Sequence, residues 1–178
     1  MIIKEGNIYY LSENVTGCFN NECRFTFLSQ FDCLSFFFSV KDTDIISPFE
    51  NDNEDIWTGD TVEVFISPNG DLTNYMEIEV SPNSVRFMGR ILNKDGRNFI
   101  LEKIKPNFYA QALINSKGYD VNINVPYSVF SNNFVYAKAK LNAFRLDKKI
   151  SGKQILYALN PTHCDSFHIP SFFCQIKK

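Results

Sequence analysis

Thr61-Val62-Glu63-Val64-Phe65-Ile66-Ser67-Pro68-Asn69-Gly70 and, a few residues on, Tyr75-Met76-Glu77-Ile78-Glu79-Val80-Ser81-Pro82-Asn83 decide the fold. Each run alternates apolar and polar residues with period two, which places successive side chains on opposite faces of a strand. Each closes on a turn composition of Ser, Pro, Asn and Gly, so the two read as consecutive antiparallel strands. The same alternation recurs outward from this pair. Phe36, Phe38 and Val40 alternate with Phe37, Ser39 and Lys41 before Asp42-Thr43-Asp44, and Tyr119, Val121, Ile123 and Val125 alternate with Asp120, Asn122 and Asn124 before Pro126 stops the ladder. Less regular stretches at 24–28, 85–92, 99–104, 108–114, 134–144 and 154–159 are strand-like by composition, while no long window carries a period of 3.6. Strands at intervals of about ten residues predict an all-β protein, an antiparallel β-sandwich of the jelly-roll or immunoglobulin-like kind. The segment after Pro126, residues 127–130, has room for one helical turn. Residues 45–56, with Pro48 and the run Glu50-Asn51-Asp52-Asn53-Glu54-Asp55, form a long polar loop, the usual place for a binding site on a sandwich.

The remaining composition agrees. The chain has 178 residues, enough for one domain spanning 1–178. Aromatic residues make up 15% of it, a bias toward pleated, half-buried surfaces. With a net charge of −2 there is no positive field to hold a polyanion, which argues against a nucleic-acid partner. No stretch approaches the roughly 20 apolar residues of a membrane helix, so no membrane partner is expected. The start, Met1-Ile2-Ile3-Lys4-Glu5-Gly6-Asn7, lacks the basic and apolar segments of an export signal and reads as cytoplasmic. Cys18, Cys23, Cys33, Cys164 and Cys174 are odd in number and irregular in spacing, hence free and mostly buried thiols.

Catalytic signals are absent. His163 and His168 are the only histidines, which excludes a His-Glu-x-x-His zinc helix, and no Gly-x-Ser-x-Gly or glycine-rich phosphate loop occurs. Asp60 with Glu63, and Glu77 with Glu79, are carboxylate pairs of the kind a glycosidase uses. Period two, however, puts Glu77 and Glu79 on one strand face, which reads as a solvated surface.

Trp57 stands out by its place, in the acidic loop just before the decisive strand. A second aromatic-rich polar loop runs from Asn160 to Phe173 and contains His163, Phe167 and His168. If the two loops met, Trp57 and Phe167 would offer two rings beside carboxylates and an imidazole. Such a set suits a sugar: the C–H faces of a pyranose pack on rigid rings, and its hydroxyls bond to charged acceptors such as Glu63.

The motif Trp57-x-x-Asp60-x-Val62-Glu63-Val64-Phe65 resembles the signature of family 9 carbohydrate-binding modules, members of a wider group of DOMON-like β-sandwiches. The resemblance runs along nearly the whole chain. Residues 34–42 resemble the family's apolar strand ending in an acid, and 75–82 its strand of Tyr, acid, hydrophobic, Glu, hydrophobic, Ser, Pro. Asn124-Val125-Pro126 stands at the Ile-Pro strand end. Asn160-Pro161-Thr162 through Phe167-His168-Ile169-Pro170-Ser171-Phe172-Phe173 resembles the closing block.

The resemblance implies non-catalytic binding of a sugar, or of the end of a polysaccharide chain, in an extracellular setting. The terminal sugar would lie between Trp57 and Phe167, with Glu63 accepting from its hydroxyls and Asp60, Glu77, Arg86 and His168 around them. Two departures accompany it: Phe167 stands where the best-understood sugar-binding members have Trp, and the strand at 77–80 carries acids where they place an Arg, for which Arg86 is the substitute. The family also binds structural calcium, and Asp42, Asp44, Asp52, Asp55 and Asp60 are oxygen ligands of a suitable kind. Two other readings compete. A DOMON-like haem domain would draw axial ligands from His163, His168, Met76 and Met88, and a glycan-processing enzyme would use Asp60 or Glu63 in acid–base roles.

Overall fold

In the computed structural model, which describes residues 1–94, 98–131 and 133–178, the two decisive runs are neighbouring strands at the middle of the larger of two sheets. Across that sheet lie β1 (Ile2–Lys4), β14 (Cys174–Lys177), β12 (Lys140–Lys148), β6 (Thr61–Ser67), β7 (Asn74–Val80), β8 (Arg86–Asn93) and β9 (Phe99–Lys103). The far edge of β12 is shared: β14 pairs with its first residues and β13 (Gln154–Ala158) with its last, and β13 in turn pairs with β3 (Ser12–Glu13). The smaller sheet runs β10 (Tyr109–Asn115), β11 (Gly118–Pro126), β5 (Cys33–Lys41), β4 (Cys23–Ser29) and β2 (Tyr9–Tyr10). The expected antiparallel sandwich is present with one difference, since β1 joins β14 in parallel.

The alternation explains the layers. One set of side chains from β6 and β7, including Val62, Val64, Ile66, Ile78 and Val80, meets Phe25, Phe27, Phe36, Phe38, Tyr119, Val121 and Ile123 of the smaller sheet. The rings of Phe25 and Phe38 lie 5.0 Å apart there, so the aromatic bias fills the space between sheets. Each such side chain contributes roughly 1.5–3 kcal/mol by leaving water.

The other face of the larger sheet is buried too, which corrects the expectation of a solvated strand face. Phe65, Tyr75, Ile91, Phe144 and Leu146 point outward and are covered by Phe167 and Phe173 from the C-terminal loop. Phe87 and Val85 are covered by Phe49 and Ile56. Glu63, Glu77 and Glu79 belong to this covered face, and all three are buried. Periodicity identified the correct face; it carries no information about a loop a hundred residues away that closes over it.

Two smaller points concern the loops. Residues 127–130 form the expected single turn, a 3-10 helix. The stretch at 134–144 is strand only from Lys140 onward. Phe134 instead packs on Tyr127 and Phe130, with ring centroids 4.6 and 5.5 Å away, so here the aromatic composition reflects packing and not a ladder.

Candidate functional site

Among the described residues, a cleft of roughly 430 Å³ opens on the covered face of the larger sheet. Its floor is the outward set of the central strands, Glu63 and Phe65 of β6 and Glu77 of β7. β8 passes Glu77 at Gly89, where a Cβ would come within 2.4 Å of Leu101 Cδ1, so the glycine leaves Leu101 its place in the wall. A second concavity, of roughly 390 Å³, lies on the outer face of the smaller sheet around Arg24, Phe37 and Asp120. It has no buried titratable cluster. The first cleft gathers aromatic rings, polar groups and perturbed acids, which marks it as the candidate site.

Trp57 forms one wall. It sits on the 3-10 turn Ile56–Thr58, its ring edge-on to Phe87 at 5.1 Å and with Lys103 Nζ 5.2 Å from the ring centre. Gln154 fastens the turn by donating from Nε2 to the Trp57 carbonyl, 2.7 Å. The opposite wall is the C-terminal loop with Phe167 and His168. The two loops singled out in the sequence therefore line one cleft. Phe167 is nonetheless mostly buried: its ring stacks on Phe144 at 4.1 Å, so one of its faces is already used.

His168 stacks on Phe99 at 3.6 Å and meets the Tyr75 hydroxyl through Nδ1 at 2.9 Å. Asn93 donates to the same hydroxyl at 3.3 Å, so the Tyr75 proton points to Nδ1 and the neutral ring carries its own proton on Nε2. Burial pushes the imidazole down to about 4, and the ring is uncharged at neutral pH.

The carboxyls behave in the opposite sense. Burial raises Glu77 to about 7, offset in part by the neighbouring Glu79 carboxyl. Burial and then the charge of Glu77 raise Glu63, and Glu79 is raised by burial and by both neighbours. Both oxygens of Glu79, and Oε2 of Glu77, lack a hydrogen-bond partner. Such a trio cannot be fully ionised without cations beside it.

Asp60 and Arg86 do not line the cleft, a correction to the set expected around the sugar. Asp60 is fully buried and accepts from the backbone N–H of Lys148, 2.8 Å, and from that of Ile46, tying the long loop to β12. Arg86 points away, bonded through Nη2 to Asp52 at 2.6 Å and through Nη1 to the Phe108 carbonyl at 2.7 Å. Phe65, Phe99, Leu101, Gln154 and Ser166 join the lining unannounced by the motif reading. Phe65 was legible as the next outward residue after Glu63; Phe99 and Gln154 come from distant strands and have no local signal.

The candidate calcium ligands scatter. Asp52 pairs with Arg86 and Asp55 with Lys103 at 2.6 Å. Asp42 and Asp60 do converge, joined by Asp147, which the sequence reading did not select, with oxygens within 4.8 Å of one another. Their charge is opposed by Arg145, 2.9 Å from Asp42 and fully buried, and by Lys149, 2.8 Å from Asp147 and 3.3 Å from Asp44. This oxygen-only set suits a hard cation in kind. The candidate haem ligands do not assemble: Met76 and Met88 lie in the core between the sheets, whereas His168 lies in the cleft on the other face.

Comparison with known proteins follows this geometry. No protein-family model matches the chain. An extracellular protein of the fungus Arthroderma benhamiae is 32% identical over 160 residues, covering 80% of this chain and 72% of that protein. Among solved structures, a candidate carbohydrate-binding protein from Bacteroides uniformis superposes with a TM-score of 0.79 at 17% identity, over 96% of this chain and 85% of that one. A family 9 carbohydrate-binding module of Caldicellulosiruptor kristjanssonii in complex with glucose gives 0.67 at 13% identity, over 99% and 95%. In complex with cellotriose, such a module from the same organism gives 0.63 at 15%, over 99% and 92%. No helix is long and apolar enough to cross a membrane among the described residues.

Proposed function

We propose that this chain, which belongs to the same family as the Arthroderma extracellular protein and has the fold of family 9 carbohydrate-binding modules, binds a sugar without altering it. The single observation that carries this is the cleft on the outer face of the larger sheet, whose lining includes Trp57 and Phe167 of two distant loops together with Glu63 and Glu77. A pyranose packs its C–H face on the open Trp57 ring. Its hydroxyls bond to Glu63, to Gln154 and to His168. The likeness to modules solved with glucose and cellotriose supports a neutral hexose or the end of a glucan chain as the first ligands to try.

The reading is of a binding protein and not an enzyme. Asp60, the partner an acid–base mechanism would pair with Glu63, is committed to backbone N–H groups away from the cleft. An extracellular setting follows the name of the fungal relative. Calcium, which the resemblance implies, would be held by Asp42, Asp60 and Asp147 and would fix the long loop, since none of the three lines the cleft.

Trp57 is the only tryptophan, so selectively excited tryptophan emission reports on the cleft wall. A saturable change in emission with glucose or cellotriose, and no release from chromogenic glycosides, is the expected outcome. Steady glycoside turnover that disappears in Glu63→Gln would replace binding with catalysis.

A further inference from the structure

The charged groups of the cleft are unbalanced. Glu63, Glu77 and Asp165 line it, the one imidazole there is uncharged, and no Lys or Arg lines it among the described residues. Two cations of the same sheet, Lys103 and Arg86, are committed elsewhere. Lys103 Nζ, 5.2 Å from the Trp57 ring centre, bonds to Asp55 at 2.6 Å and to the Asn53 carbonyl at 3.0 Å, and Arg86 is held by Asp52. Behind the floor stands Glu79, fully buried with both oxygens unpartnered, and Glu77 is only 6% exposed with Oε2 unpartnered. Buried acceptors without donors are expensive unless a ligand brings the donors.

We propose that the sugar this cleft is built for carries an ammonium group, as an amino sugar does, and that Glu63 and Glu77 receive it beneath the Trp57 and Phe65 rings. The inference rests on the reading of the cleft as a carbohydrate site and adds the substituent it selects. An ammonium brings three donors and a positive charge, the counter-charge that two buried carboxyls with no Lys or Arg among the described lining residues call for. Aromatic faces attract a cation through their quadrupole, more strongly where water is excluded. A neutral hydroxyl supplies one donor and no charge. A compact metal ion fits less well, because the described group of acids whose oxygens converge within 4.8 Å is the Asp42, Asp60 and Asp147 corner and not this floor.

The experiment is calorimetric titration of the intact chain at about pH 6.5, below the ~7.7–8.0 of an α-amino group, with glucose, glucosamine, N-acetylglucosamine and ethanolamine. Glucosamine is expected to bind at least about tenfold tighter than glucose, the effect of one charge-assisted contact. N-acetylglucosamine should lose that advantage, and ethanolamine, which has the amine without the ring, should bind weakly. Glu63→Gln and Glu77→Gln should each narrow the glucosamine-to-glucose ratio, because each removes a carboxyl that can ionise against the ammonium, and a thermal melt checks that each variant is folded. Glucose binding as tightly as glucosamine, a ratio unmoved in both variants, or ethanolamine equalling glucosamine would each overturn the amino-sugar inference. Binding of glucose or cellotriose with no preference for the amine would leave the carbohydrate reading standing, whereas silence from every sugar would remove both.

Discussion

Trp57 is half-buried and touches Phe87 edge-on, so it contributes to packing as well as to the cleft wall. Trp57→Ala is expected to lower stability by about 2 kcal/mol, below the ~3–5 kcal/mol of a fully buried aromatic because the ring is half-buried and lines the cleft. Urea unfolding measures this, and a loss above about 4 kcal/mol would show the ring to be core and not wall. Glu79 gives a prediction of opposite sign. Its carboxyl is fully buried, unpartnered and held above the usual carboxylate range by burial and by Glu63 and Glu77. Glu79→Gln removes the charge with little change of shape and should stabilise the protein at pH 8 by on the order of 1–2 kcal/mol. A destabilised variant would mean that Glu79 is paired in solution. Reading these acids as solvated was an error of information and not of periodicity, since Glu77 and Glu79 do share a face and residues from distant segments, among them Phe49, Ile56, Leu101 and Phe167, decide whether that face is wet.

At the level of elements, the strands were legible because the signal is local. The alternation at 61–67 and 75–80, with Ser-Pro-Asn after each, fixes two strands and their turn, and the register between them follows. The loop at 45–56 was legible for the same reason. What was not legible is which loops meet over which face, because the contacts of Phe167 with Phe144 and of Gln154 with the Trp57 turn join segments far apart in the chain. The family resemblance supplied the pairing of Trp57 with Phe167, but it placed Asp60 and Arg86 beside the sugar, where local bonds to Lys148, Ile46 and Asp52 draw them away. The corner that Asp60 shares with Arg145 makes its own prediction. Arg145 is the buried cation between Asp42 and Asp147, and Arg145→Met strips Asp42 of its paired cation and leaves Asp147 with Lys149 alone, at a cost of about 3–5 kcal/mol. Added calcium should recover part of that loss in a thermal melt if Asp42, Asp60 and Asp147 hold the ion, and chelation of the wild type should lower its melting temperature. A wild-type melt indifferent to both calcium and chelator would assign the corner to Arg145 and Lys149 alone.

For the molecule as a whole, the buried acids set the pH dependence of stability. Glu77, raised to about 7, and Glu63 and Glu79, also raised by burial and by the neighbouring acids, bind more protons folded than unfolded above about pH 4.5, so stability falls as pH rises through that range. Asp60, raised to about 6, acts in the same direction. His168, lowered to about 4, binds fewer protons folded and opposes them between about 4 and 6.5, but not above. The melting temperature should therefore decline from pH 6.5 to 8; a rise over that interval would contradict the buried, unpaired state of the trio. Two of the trio, Glu63 and Glu77, stand in the floor of the cleft, so stability and ligand choice meet in the same residues, as expected where function retains costly groups. The central claim, that this cleft binds sugar, is tested most directly by calorimetric titration of the wild type and Trp57→Ala with glucose, cellotriose and glucosamine. Saturable heat with at least one of them, weakened tenfold or more in Trp57→Ala while the variant remains folded, is the predicted result. Sugar binding that survives in Trp57→Ala unchanged would place the site elsewhere, and absence of heat with every sugar would contradict the account.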